Sequence, residues 1–263
     1  MESPALKVCA FCPTEAIELT EEHLWGAWIS KLFPEMDFVW SSLRPDTGEV
    51  TTGRMSSIGR TVEAVCGKCN NGWMSILETE VQPLLSGIIK HGESMYLSRP
   101  DQRKLAAYTF KNAVIANYLN PTREPFFTRA ARERFRASRQ IPSIVSAWFA
   151  ALAASTFMGL NHGYVLGIQP RAENRTWDDL ELYAYTFAIG HLVLQLRAFR
   201  FADIAHRGVT LSGPPPQDIF WNDYSVPLWP ITGGTIRWPP AKQFSEESLP
   251  GYARRWEGGL NFS

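Results

Sequence analysis

Cys66-Gly67-Lys68-Cys69-Asn70-Asn71-Gly72-Trp73-Met74 sets a C-x-x-C pair directly against two Asn and a Gly-Trp step. The spacing occurs once more, at Cys9-Ala10-Phe11-Cys12, and these four are all the cysteines of the chain. Two C-x-x-C pairs with no spare thiol have the spacing of a four-thiolate zinc site. The short loop of each pair lets both sulfurs reach one metal at about 2.3 Å, and two loops complete a tetrahedron. Lys7 and Lys68 lie beside and within the pairs, where a cation eases the build-up of thiolate charge. Two redox disulfides are the competing reading, but a redox site ordinarily uses one C-x-x-C at a helix start. A closed four-cysteine site keeps no open coordination position, so Zn2+ is expected to be structural, stapling a module over about residues 5–80. Any chemistry must come from side chains that the staple holds.

Between the pairs lies Thr20-Glu21-Glu22-His23. The order C-x-x-C, acidic-His, C-x-x-C-Asn resembles the HNH, or ββα-metal, endonucleases in their zinc-stapled form, over about residues 5–80. In that family the acidic-His pair ends the first strand of a hairpin, a polar residue sits on the second strand, and a His or Asn opens the helix after the last cysteine. The resemblance implies that His23 is the general base that activates water, a task for which an imidazole titrating near ~6.5 is suited. It implies Glu22 and Asn70 as ligands of one divalent cation, which would act on the scissile phosphate as Lewis acid and template. Oxygen ligands favour Mg2+ or Mn2+ over zinc there. The family's middle polar residue falls on Thr61, where Asn is usual, and Glu22 stands where Asp is commoner. The insert between His23 and Cys66 is long, with Asp46-Thr47-Gly48 as an expected hairpin turn.

A zinc ribbon or treble clef that only binds nucleic acid or protein is the alternative. In it His23 is a packed histidine and Asn70 caps the helix beginning there, over 70–80.

The charge pattern bears on partners. Lys+Arg and Asp+Glu are equal at 26 each, so the chain is no general polyanion binder. Residues 99–140 nevertheless hold 10 basic and 3 acidic side chains, against 7 and 13 in residues 1–98. Two helices are expected there, Gln102 to Leu119 and Thr128 to Ser138. On the second, Arg129, Arg132, Arg136 and Arg139 share one face, a stripe able to meet phosphates or simply a solvated surface. Lys111 and Arg123 add to the local positive charge.

No Lys, Arg, Asp or Glu occurs between Arg139 and Arg171. Ile141 to Leu160 is long enough to span a bilayer, but its Pro, Ser and Thr dilute it, and a buried core helix fits better. With no secretory signal visible, a cytoplasmic location and reduced thiols are expected, without membrane attachment. Strands are expected at 164–168, 182–189 and 192–199, the last two joined by a tight hairpin at Gly190-His191. His191 reads as structural, and the tail after residue 208, rich in Pro and Trp, reads as a wrap over the body.

The expected architecture is therefore α+β: a zinc-stapled ββα module (1–80), then a companion region (81–263) that is helical to about 160 and antiparallel β beyond. The expected activity is phosphodiester hydrolysis on double-stranded DNA rather than RNA, as in bacterial defence or mobile-element nucleases. The companion region is free for oligomerisation or a partner protein.

Overall fold

A computed structural model describes residues 7–16, 19–34, 38–43, 50–55, 61–119, 124–153, 159–168, 180–201 and 223–254. It is a mixed α/β chain whose sheets are antiparallel throughout. The N-terminal part consists of three two-stranded ribbons: β1 (Lys7–Val8) with β2 (Glu15–Ala16), β3 (Thr20–His23) with β6 (Thr61–Val65), and β4 (Phe38–Leu43) with β5 (Val50–Met55). A short helical turn, α1 (Gly67–Cys69), and a widened π-type turn over Asn70–Met74 lead into α2 (Ser75–His91). The turn Asp46-Thr47-Gly48 lies outside the described residues, between the paired ends Leu43 and Val50 of β4 and β5.

α3 (Arg99–Ala116) is the central element. Ser98 and Asp101 cap its start reciprocally, each side chain bonding the other's backbone N–H. The helix has no solvent-facing stripe over its second half. Leu105 to Ile115 is buried without interruption, because α2 covers one side and a five-stranded sheet the other. The sheet runs in the order β12 (Ser225–Trp229), β8 (Val145–Ala151), β11 (Leu192–Phe201), β10 (Leu180–Ile189), β9 (Gly159–Ile168). The Tyr183 hydroxyl donates to the Ala113 carbonyl at 2.8 Å, tying β10 to α3. A small ribbon of β7 (Met95–Leu97) and β13 (Ile236–Trp238), the helix α4 (Arg129–Ser138) and the short α5 (Ser248–Arg254) complete the chain.

The described part of the charge-free stretch holds strands and no helix. Val145–Ala151 is strand β8, buried on both faces between β11 and β12. A strand covered on both sides carries no alternation, so its hydrophobic run cannot be told from a core helix by period. The hairpin at Gly190-His191 stands as expected, joining β10 to β11 in register from Ile189↔Leu192 to Leu180↔Phe201. Gly190 has φ +55°, and a Cβ there would collide with the Ile89 carbonyl of α2. The His191 ring contacts the Leu152 carbonyl at 2.9 Å, a structural role. Of the Pro- and Trp-rich tail, the part up to residue 222 lies outside the described residues. Among the described residues no helix is long and apolar enough to cross a membrane.

Candidate functional site

The two cysteine pairs meet where the β3–β6 hairpin joins the helix. Cys9 and Cys12 sit in the turn after β1, Cys66 immediately after β6 and Cys69 in α1, and all four are buried. The Ala10 N–H donates to the Ala64 carbonyl at 2.8 Å, pinning the first turn to β6. The Cys66 N–H donates to Cys9 Sγ at 3.3 Å, as a backbone amide supports a thiolate. The four sulfurs lie within 4.8 Å of one another, and Cys12 Sγ and Cys66 Sγ are 3.6 Å apart. A tetrahedron with Zn–S near ~2.3 Å has edges of about 3.8 Å, so the cluster fits a zinc ion. It is far from the ~2.05 Å of a disulfide.

The thiols respond unequally to this crowding. Burial pushes Cys9 and Cys69 up. Burial would raise Cys12 as well, but hydrogen bonds from the Thr14 hydroxyl and backbone outweigh it and hold it at about 6. A bound cation removes the mutual repulsion that charging all four would bring.

A second constellation lies beside the cysteine cluster. In the hairpin, His23 stands directly opposite Thr61 and Glu22 opposite Val62, with a β-bulge between Thr20 and Glu21 that re-aims the strand end. The helical run starts at Gly67, three residues earlier than expected, so Asn70 does not cap it; its own N–H bonds the Cys66 carbonyl at 3.0 Å. Instead the Asn70 side chain reaches back to the hairpin. Its Nδ2 donates to Thr20 Oγ1 and to the Glu21 carbonyl, both at 3.1 Å, and Thr20 Oγ1 donates onward to the Val65 carbonyl at 2.8 Å. Because a carbonyl only accepts, this chain of donors fixes which end of the amide is which. Asn70 Oδ1 is thereby the end left for a ligand.

Glu22, His23 and Asn70 line one open pocket of about 140 Å³ with Gly26, Ala27, Asn71, Met74, Ser75 and Glu78. Pockets that engulf drug-sized ligands run to roughly 300–1,000 Å³. This one therefore suits an ion and one polar group of a larger molecule lying outside it. Its Glu and Asn side chains offer oxygens and its His a nitrogen, donors able to hold a divalent cation.

Two residues of the site carried no warning in the motif. Lys111 on α3 is fully buried, and its Nζ lies 2.8 Å from both Glu22 Oε1 and Glu78 Oε1. Burial would lower the ammonium pKa, but Glu78 and Glu22 outweigh it and raise it above the ordinary lysine value. Lys111 is thus an interior ion-pair partner, not part of a positive surface. The available signal was a single Lys inside Tyr108-Thr109-Phe110-Lys111-Asn112-Ala113-Val114-Ile115. Glu78 reaches the pocket because Gly26, with φ +39°, has no side chain: a Cβ there would stand 2.8 Å from Glu78 Oε2.

The arginine stripe also departs from expectation. Arg129 is exposed and paired with Glu133 at 2.9 Å, and Arg136 is half-buried. Arg132 is buried, bonding the Phe127 carbonyl at 3.1 Å, the Tyr118 hydroxyl at 2.5 Å, and the Ala10 carbonyl between the first two cysteines. Arg139 donates to the Trp73 carbonyl at 2.9 Å with its guanidinium 4.6 Å from the Trp73 ring centroid. α4 has few large apolar residues besides Phe135, so arginine stems supply the face that docks it. Arg132 is a strut behind the cysteine cluster and is not available to a phosphate.

Comparison with family models, with curated proteins and with solved structures finds no match to this chain.

Proposed function

We propose that the chain is a metal-dependent endonuclease of the ββα-metal type that hydrolyses phosphodiester bonds, in DNA before RNA. The observation that carries this reading is the convergence of Glu22, His23 and the oriented amide of Asn70 on one open polar pocket beside the cysteine cluster. The β3–β6 hairpin followed by α1 and α2 supplies the frame, and Thr61, opposite His23, occupies the middle polar position. In this reading His23 takes the proton of the attacking water. Glu22 and Asn70 Oδ1 hold the divalent cation, while the Thr20–Asn70 bond keeps the amide from rotating. A cation held there supplies charge stabilisation to the phosphate oxygens and the leaving 3′ oxygen. The open mouth of the pocket lets the rest of a duplex lie on the surface.

The test is plasmid cleavage with Mg2+ or Mn2+, comparing the parent with His23→Ala at equal zinc content. Loss of cleavage in the variant supports the assignment. A parent inert with both metals removes it. That result favours a zinc module that only binds, a reading with its own support in the buried ion pair that engages Glu22.

A further inference from the structure

The cation site proposed above includes Glu22, and what surrounds that carboxylate limits how it can ligate. Glu22 is almost wholly buried, and among the described residues Lys111 is the one side chain bonded to it, through Oε1 at 2.8 Å. The ammonium has three donors, and a second is spent on Glu78 Oε1 at the same distance. Lys111 has no exposed surface, and its Nζ also lies 5.5 Å from the centroid of the Tyr108 ring on the same helix. A dication approaching Oε1 of Glu22 therefore meets the ammonium already seated there, and Oε2 is the oxygen that faces no bonded cation.

Cation chemistry makes that difference between the two oxygens consequential. Ca2+ takes 6–8 oxygens at flexible geometry and accepts a carboxylate through one or both of its oxygens. Mg2+ keeps several waters in a near-octahedral shell and takes carboxylates through one oxygen. We propose that Lys111 is a positioning residue that biases the cation class of the site: by keeping a dication off Oε1 of Glu22 it removes the two-oxygen grip that Ca2+ can use and that Mg2+ and Mn2+ do not need. The inference rests on the reading of Glu22 as a cation ligand. It assigns to the companion region, through α3, a part in a site whose other residues all come from the first 80 positions.

The charge arithmetic supplies a clean perturbation. Glu22, Glu78 and Lys111 together carry one net negative charge. Lys111→Met with Glu78→Gln removes the clamp and keeps that net charge, so a change in selectivity is not a change in overall attraction. The experiment is Mn2+ binding to the zinc-loaded full chain, followed by electron paramagnetic resonance, with displacement by Mg2+ and by Ca2+. Glu22→Gln identifies the bound ion as the one at this site. The parent is expected to release Mn2+ to Mg2+ and to resist Ca2+. The double variant should shift the Ca2+/Mg2+ ratio toward Ca2+, by no more than the ~10–100-fold in affinity that a partner of a metal-ligating side chain is worth. Glu78→Gln alone, which keeps the Lys111–Glu22 bond, should leave the ratio as in the parent.

An unchanged ratio in a folded double variant overturns the proposal, as does an equal shift in Glu78→Gln alone. Should the double variant not fold, the parent decides: Ca2+ binding as strong as Mg2+ at the Glu22 site overturns it. A parent with no Glu22-dependent cation removes both this inference and the cation of the proposed function. Cation binding without plasmid cleavage removes the nuclease reading alone, and the ratio still judges Lys111.

Discussion

Replacing Lys111 by Met should be among the most damaging single changes in this chain. The side chain is 0% exposed, while those of its two partners are 6% and 19% exposed, so little water screens the interaction. Met fits the volume of the aliphatic stem, which makes loss of charge the main effect. Two carboxylates that now balance one ammonium would face each other alone. Breaking a buried pair by removing one partner costs about 3–5 kcal/mol, against a total domain stability of about 5–15 kcal/mol. For a chain of this size, that lowers the midpoint of thermal unfolding by on the order of 10 °C. Circular dichroism with urea or heat, at equal zinc content, measures it. The second substitution Glu78→Gln should restore more than about 1 kcal/mol, since coupled neighbours do not add. The pH dependence comes from the raised folded-state pKa of Lys111. A raised value gives stability that is fully present below the unfolded lysine pKa of ~10.4 and lost as pH climbs through the folded one. The gap between parent and Lys111→Met should therefore be flat from neutral pH to about 10 and shrink above it. A loss under about 1 kcal/mol, the value of an exposed pair, would refute the burial argument.

Removing Cys66 as Ser should abolish zinc binding, measured as one metal per chain by atomic emission in the parent, and should loosen the β3–β6 hairpin in hydrogen exchange while the five-stranded sheet stays protected. At Asn70, Asp should be worse than Ala by about 1–3 kcal/mol in urea unfolding, because a carboxylate oxygen would then face the Glu21 carbonyl where an N–H now donates. Equal losses would mean that the donor chain through Thr20 is not formed. Arg132→Ala should cost about 2 kcal/mol or more by leaving the buried Ala10 and Phe127 carbonyls without their donor, with Arg129→Ala within about 0.5 kcal/mol as the exposed control.

The legible parts of the sequence were those with short-range chemistry. The cysteine spacing announced a four-sulfur cluster because a C-x-x-C turn has almost one way to present two thiols. The Gly190-His191 hairpin was legible from strand composition on either side of a two-residue turn. What failed was reading that depended on which faces are covered. β8 lost its alternation because β11 and β12 flank it and both of its faces are buried. The apolar residues of α3 mix periods for the same reason: from Leu105 to Ile115, enclosed by α2 and the sheet, the helix has no solvent face to mark. The arginines of α4 had helical spacing on one face, yet spacing does not say whether a face meets water or protein; here Arg132 meets the Ala10 carbonyl.

The position of α3 bears on how the chain is divided. The sequence suggests a stapled module to about residue 80 and a separate region beyond it. The larger of two buried clusters runs from Cys9 through Leu105 and Phe149 to Trp238, with Trp25 stacked on Phe187 at 5.4 Å between ring centroids. More telling than shared packing is shared charge. Glu22 ends the hairpin and Glu78 lies on α2, and the cation that balances them comes from α3. An excised 1–80 segment would keep every motif residue and lose Lys111, leaving two carboxylates to repel across the pocket they line. The hairpin end would also lose the sheet surface on which Trp25 stacks. The arrangement makes α3 a common wall: one side holds the acidic residues of the pocket, and the other carries the sheet through Tyr183 and Ala113.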